Sequence, residues 1–399
     1  MTEALLFEWI SVLLRWAHVL VAIAWIGASF YLISWENKFN RLRNLREGVE
    51  GDFWTIQGGD FYLVEKLKSA PRQLPAELHW FRYEAYFTWV SGFILMCVFY
   101  YSNASIMLLD QSSPLDGSFQ AIAASVLSLL VIWLAYALYC NTRLARNLGL
   151  SALVGIFVVA LLAWFYGLLF NGRAAFLHIG AAMGTIMSAN VFFSIIPWHK
   201  RLVSAIASSE PLDEIYRSHP GFRSRHNHYM TLPVLFLMLS GHAPVNFDGS
   251  LSWLVAALLV TAMGLLKHFH TCIQRKTPAI RYLLAGLIVL TSAILISSSD
   301  ARTVFRCEEK LQQEQVEKII ASRCESCHNS NSGTRASVDS QNVPVWSNPN
   351  ELLALRTQAR NLVLINKTMP PANVTGMTEH ERGIFACWLE NAVDPGLYE

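Results

Sequence analysis

The most specific chemical motif in the chain is Cys324-Glu325-Ser326-Cys327-His328. Two thiols at this spacing reach the two vinyl groups of one porphyrin, and the adjoining histidine is then held under the iron. A redox C-x-x-C pair or half of a zinc site uses the same spacing, but no second ligand pair follows and the βαβ context of a thioredoxin-like site is missing. The motif predicts covalent haem c, attached at Cys324 and Cys327 with His328 as an axial ligand.

A second iron ligand is predicted at Met369, 41 residues beyond His328. Pro370 and Pro371 stiffen the following chain into an extended loop, which can present the thioether to the open face of the iron. Without the motif upstream, an exposed methionine would more often be explained by packing. The motif and the Met-Pro-Pro loop together predict a His–Met haem site.

Residues 307–399 resemble class I cytochrome c domains in the order of their parts. A helix at about 311–322 precedes the motif, and a capping box at Thr378–Glu381 opens an amphipathic terminal helix. The resemblance implies a small all-α electron carrier with His328 and Met369 as axial ligands. Cys307 and Cys387 form either a disulfide or two packed thiols.

Histidines within apolar stretches suggest further iron ligands, because an ionisable side chain in a bilayer is costly. His18 lies near the middle of the first stretch, and Arg15 shares its helical face. This pair suits a haem b, with the imidazole on iron and the guanidinium on a propionate. The alternative is two polar residues bonded to neighbouring helices. His178 and His242 lie at similar depths and are also candidate ligands.

Composition separates the chain into two unlike parts. Only 15% of the residues are charged and 53% are hydrophobic, whereas soluble proteins carry about 25% charge. Residues 307–399 hold 8 basic and 12 acidic side chains, and the remainder holds 23 and 17. The net charge of +2 gives no indication of nucleic acid as a partner. We expect an integral-membrane domain at 1–300 and a soluble acidic domain at 307–399.

The apolar runs predict an all-α fold, an eight-helix transmembrane bundle followed by the small cytochrome c domain. The predicted spans are 7–33, 84–109, 119–140, 150–170, 174–197, 228–247, 251–270 and 280–298.

Charge near the span ends predicts the orientation of the bundle. Nineteen Lys and Arg lie in or beside the connections after the odd-numbered spans, against three on the other side. Both termini and the haem domain therefore lie outside the cytoplasm, where bacteria attach haem c. We expect a multi-pass protein of the bacterial inner membrane with a periplasmic tail.

Three segments resemble the membrane-bound, cytochrome-c-linked urate oxidase (urate hydroxylase) family: Leu13–His18 with Trp25-Ile26-Gly27, Leu78–Tyr86, and Ser224–Phe236. The likeness includes the order of eight spans and a cytochrome c domain. It implies oxidation of urate to 5-hydroxyisourate, with electrons passing through haem b to haem c and then to a soluble cytochrome c or a terminal oxidase. One departure is Gln57-Gly58-Gly59-Asp60, in place of a His-Gly-Gly-Gly-type run.

The segment Arg223–Tyr229 suits this chemistry in outline. Urate is a flat monoanion, so the guanidinium groups of Arg223 and Arg225 can neutralise it and donate planar hydrogen bonds. His226 or His228 is a possible base, and Asn227 can bond the ring edge. The alternative is a basic loop without a pocket.

A second functional hypothesis is a quinol-to-cytochrome c electron-transfer protein without urate chemistry. No His-His pair of a haem–copper oxidase occurs in the chain. A phosphate loop, a dinucleotide fingerprint and a zincin motif are likewise missing from the sequence. We therefore expect redox chemistry.

Overall fold

The computed structural model describes residues 3–41, 45–69, 74–109, 113–208, 210, 214–240, 251–300, 313–328, 352–353, 355–365 and 369–391. Its long helices are α1 Glu3–Lys38, α2 Tyr83–Met96, α4 Ser118–Tyr139, α5 Leu148–Leu169, α6 Gly172–Ala189, α7 Ile196–Ala207, α8 Ile215–Ser240, α9 Ser252–Gln274 and α10 Ile280–Asp300. The shorter elements are the strands β1 Val49–Gln57 and β2 Asp60–Leu67 and the helices α3 Ala104–Met107, α11 Gln313–Arg323, α12 Glu325–His328, α13 Arg356–Ala359 and α14 Glu379–Asn391.

Six of the described helical segments are long and apolar enough to cross a membrane. They are Trp9–Lys38, Ser118–Tyr139, Leu148–Leu169, Gly172–Ala207, Ser252–Gln274 and Ile280–Ser298. Large apolar side chains face outward on them, including Trp16 of α1, Phe157 of α5 and Ile288 of α10. Such faces are compatible with a membrane protein.

The described parts of the predicted second and sixth spans are largely helical but differ in extent, and residues 241–247 of the sixth lie outside the described residues. α2 continues through a π-helical segment at Cys97–Tyr101, and α8 begins at Ile215, well before the predicted start at residue 228. Its N-terminal half is polar, and Arg223 and Asn227 there donate hydrogen bonds to buried acceptors on a neighbouring segment, Asn190 Oδ1 and the Met187 carbonyl. The structure therefore contains six candidate spans among the described residues, and the bundle of eight spans stays a prediction.

The all-α prediction is wrong for the connection 34–82, which contains a β-hairpin. β1 and β2 pair antiparallel, with Gln57 opposite Asp60. Gly58 and Gly59 form the two-residue turn with φ of +61° and +95°, a backbone that glycine adopts without strain. The strands are rich in aromatic and β-branched residues, which favour a pleated backbone over a helix.

The described chain has two main hydrophobic interiors and a smaller cluster of Ala85, Val191 and Ile196. The larger interior lies among the long helices around Tyr166, Phe176 and Leu237, each at most 2% exposed. The other interior lies in the tail, where Ile320 of α11 packs in one core with Phe385 of α14. The tail also touches the bundle, because the turn Pro371–Asn373 contacts α3.

Candidate functional site

Cys324 and Met369 come close to the same small core of the tail. Both side chains pack against the buried cluster that contains Ile320 and Phe385. Arg382 donates hydrogen bonds to the carbonyls of Met369, at 2.9 Å, and of Val363, and so fixes the start of the Met-Pro-Pro loop. The thiols of Cys324 and Cys327 are both free. This donor set fits haem c, with two thiols available for attachment and a thioether brought to the same core.

The state of the Cys324 thiol separates two of the alternatives for the motif. Burial, together with the charge of Glu325, raises its pKa to about 12. Reactive C-x-x-C pairs depend on a lowered thiol pKa, since the thiolate is the nucleophile. The raised pKa therefore disfavours the redox alternative for Cys324.

The predicted capping box is confirmed and braces this site. The Thr378 N–H donates to Glu381 at 2.7 Å, and the Glu381 N–H donates to the Thr378 hydroxyl at 3.2 Å. Arg323, next to Cys324, donates to the same Glu381 carboxylate at 2.9 Å and joins α11 to α14. Cys387 of α14 is disulfide-bonded, which agrees with the disulfide alternative for this residue. Its predicted partner Cys307 lies outside the described residues.

His18 is oriented by a second residue in the way that metal-binding histidines usually are. The Ser91 hydroxyl donates to the Phe87 carbonyl at 2.6 Å, so its oxygen accepts from His18 Nδ1–H at 2.9 Å. With the proton on Nδ1, the lone pair lies on Nε2, the nitrogen that would bind the iron. The ring also rests on Gly92. His18 therefore fits as an axial ligand of a haem b.

Arg15 lies on the same helix with its guanidinium 4.2 Å from the centre of the Phe99 ring. It is exposed on the outside of the described bundle, where a propionate could reach it.

His178 does not fit as an iron ligand in this arrangement, because both of its ring nitrogens are occupied. Nε2 bonds the Ser125 hydroxyl at 2.6 Å and Nδ1 bonds the Ala174 carbonyl at 2.7 Å. The ring is fully buried beside Phe170. The other candidate at this depth, His242, lies outside the described residues.

The predicted urate-binding segment is divided between two faces of α8. A helix turns by about 100° per residue, so Arg223, His226 and Asn227 share one face while His228 points elsewhere. Arg225 is exposed. The structure thus brings three of these five residues together and separates the other two.

The first face forms a network that satisfies most of its own polar groups. Arg223 donates to Asn190 at 3.0 Å, and Asn190 donates to Asn227 at 2.8 Å. His226 bonds the Tyr136 hydroxyl at 2.9 Å and the Ala145 carbonyl at 3.0 Å, so neither ring nitrogen is open. Only Arg223 Nε is buried without a partner. This network is better suited to joining helices than to binding a ligand.

The second face brings His228 close to Lys267 and His270 of α9, neither of which was predicted as a site residue. The imidazole rings of His228 and His270 and the ammonium group of Lys267 all lie beside Phe30 of α1, and Lys267 Nζ is 3.1 Å from the Phe30 ring centre. His228 Nδ1, His270 Nδ1 and Lys267 Nζ are all buried without a hydrogen-bond partner. The sequence does carry a signal for Lys267, because it lies within the predicted span 251–270, where a charged side chain is costly.

Together, the fold and these sites define a mostly helical protein whose long apolar helices are compatible with a membrane, with buried nitrogen bases and a small helical tail. The model of the urate oxidase N-terminal family matches residues 4–298. The chain belongs to this family, and membership indicates a urate-related oxidoreductase. The match ends before the Cys324 motif, so it does not cover the tail. No curated protein and no solved structure matches the chain.

Proposed function

We propose that this protein is a membrane-bound oxidoreductase that converts urate to 5-hydroxyisourate and delivers the electrons to its own cytochrome c domain. The observation that carries the proposal is the family match over residues 4–298 on a chain that continues into a C-x-x-C-H motif. A urate-related domain and an electron-carrier motif in one polypeptide are explained most simply by one reaction that joins them.

The reaction requires an anion site and a base. Urate takes up one water and releases two protons and two electrons as it becomes 5-hydroxyisourate. Cationic and N–H donor groups hold the monoanion, and an unprotonated imidazole accepts a proton. Of the predicted segment Arg223–His228, His228 is the histidine with an unpartnered ring nitrogen, whereas Arg223 is bonded to Asn190. Lys267 beside His228 supplies a buried cation.

The electron-carrying half rests on the tail. Cys324 and Cys327 would hold haem c covalently, with His328 and Met369 as axial ligands, and His18 with Arg15 would bind a haem b. These groups, when bound, supply one-electron redox chemistry at a potential set by their ligands. The final acceptor is a soluble cytochrome c or a terminal oxidase. We place the chain in a bacterial inner membrane, with both termini and the haem domain in the periplasm.

Anaerobic addition of urate to isolated membranes tests the proposal. The expected result is reduction of haem c, seen in its absorption bands, in wild type but not in membranes that carry Cys324→Ala/Cys327→Ala. A membrane in which dithionite reduces haem c and urate does not would defeat the substrate assignment. If a quinol reduces haem c equally well with and without urate, the quinol-to-cytochrome c function is selected instead.

A further inference from the structure

The cluster of Lys267, His228 and His270 around Phe30 has an electrostatic feature that requires a partner. Lys267 is 0% exposed and its ammonium group has no hydrogen-bond partner. The charged groups acting on His228 and His270 are Lys267, Arg275 and Lys38, all of them basic. No carboxylate of the described chain pairs with Lys267. Its ammonium group does contact the face of the Phe30 ring, 3.1 Å from the ring centre. Such a cation–π contact contributes about 2 kcal/mol, less than the several kcal/mol that burial of an unpaired charge costs, so the site favours a bound anion.

Neighbouring hydrogen bonds assign a different role to each histidine. The Thr271 hydroxyl donates to the Lys267 carbonyl at 3.0 Å, so its oxygen accepts from His228 Nε2–H at 3.3 Å. His228 Nδ1 therefore carries a lone pair. The Gln274 amide lies 3.4 Å from His270 Nε2 and donates to it, which leaves His270 Nδ1 with the proton. The cluster thus offers a cation, an N–H donor and an unprotonated base.

Phe30 gives this cluster a flat apolar component. Its ring centre lies 6.2 Å from that of His228 and 5.8 Å from that of His270. The Phe30 side chain is half-buried, whereas the three nitrogen atoms beside it are buried. A ligand that presents a ring face and anionic edges matches both parts, and a metal cation is disfavoured by the unpaired ammonium group.

We propose that Lys267, His228 and His270, with Phe30, form the binding site of a planar heterocyclic anion. The anion is bound by Lys267 Nζ and His270 Nδ1–H, and His228 Nδ1 receives a proton from a ring N–H. That step breaks one N–H bond in the ligand and forms one on His228, with no change of oxidation state. The identity of the anion as urate rests on the proposed function, whereas the site itself does not.

Binding of urate to the purified full chain, followed by equilibrium dialysis and by thermal shift, tests the site. Lys267→Met and His270→Gln should each weaken binding roughly ten- to a hundredfold, since each removes a charge-assisted hydrogen bond. Lys200→Met, on the exposed surface of α7, is the matched control and should bind as wild type. Without ligand, Lys267→Met should melt no lower than wild type, because it removes a buried unpaired charge.

The outcomes separate this inference from the proposed function. If xanthine or another planar anion, but not urate, binds with the same dependence on Lys267, the site stands and the urate assignment fails. If urate reduces haem c with an unchanged KM in Lys267→Met and in His270→Gln, the site is wrong and the function stands. Equal binding of chloride or phosphate by the wild type would also overturn a planar-anion site.

Discussion

The imidazole of His18 lies directly on Gly92 of the neighbouring helix, so close that a Cβ at residue 92 would stand 3.0 Å from its Cε1. Ser91, the preceding residue, holds the Nδ1 of the same ring. One turn of α2 therefore sets both the position and the tautomer of the proposed haem b ligand.

Gly92→Ala should displace the His18 ring and lower the amount of bound haem b, and Ser91→Ala should weaken binding of this haem by roughly 10- to 100-fold. His18→Ala should abolish the b-type absorption and leave haem c attached. A pyridine haemochrome assay of b and c haems per chain measures all three. Gly155→Ala is the control, because a Cβ there meets nothing within 4 Å. An unchanged b-type spectrum in His18→Ala would refute this ligand.

Met369→Ala should lower the reduction potential of haem c without affecting its covalent attachment. Loss of a thioether ligand removes the group that raises the potential of His–Met haems, while attachment requires only the motif at 324–328. Potentiometric titration of the purified chain measures the shift. The exposed neighbour Val374, changed to Ala, should leave the potential unaltered. The same potential in Met369→Ala as in wild type would exclude this ligand.

His226→Gln should lower stability and spare catalysis, whereas His228→Gln should lower catalysis. His226 has both nitrogens bonded, so its loss should lower the free energy of unfolding by about 1–3 kcal/mol and leave the turnover of folded protein largely intact. His228→Gln should lower kcat/KM for urate by roughly 10²–10⁴ as a lost base. Urate-dependent haem c reduction and thermal melting of each variant decide this. Normal turnover in His228→Gln would remove it as the base.

The ion pair between Arg323 and Glu381 should stabilise the tail in a pH-dependent manner. Partial burial raises the pKa of Glu381, but the Thr378 N–H and Arg323 outweigh this and leave it below its ordinary value. A lowered folded pKa contributes stability at neutral pH, which is lost as the pH falls through that pKa. Glu381→Gln should therefore be less stable than wild type by up to about 1 kcal/mol at pH 7 and equally stable in strong acid.

Chemical unfolding of the protein, followed by the haem c absorption band at several pH values, checks this prediction. Glu314→Gln is the surface control. A difference between wild type and Glu381→Gln that is the same at every pH would show that the carboxylate charge contributes nothing.

The sequence predicted those features that depend on short spacing. The capping box at Thr378 is confirmed, because its partners lie within four residues of each other. The β-hairpin was missed because the connection was judged only by its length and charge, although Gly58-Gly59 between aromatic runs is a hairpin signal.

The partners of His228 could not be predicted, because they come from distant parts of the chain. Phe30 and Lys267 are more than 200 residues apart, and only the packing of α1 beside α9 brings them together. Whether His226 or His228 keeps an open ring nitrogen likewise depends on distant neighbours such as Tyr136 and Thr271, which no local pattern identifies.

Helix α1 carries Arg15 in its N-terminal half and Phe30 in its C-terminal half, a separation of about 22 Å along its axis. In the proposed orientation, electrons taken from an anion beside Phe30 travel outward through most of a hydrocarbon layer of about 30 Å. The membrane voltage, negative inside, does work on such charges, about 2.3 kcal/mol per electron for each 100 mV of full crossing. Urate oxidation should then run faster in energised vesicles, slow on addition of an uncoupler, and discharge the voltage as it proceeds.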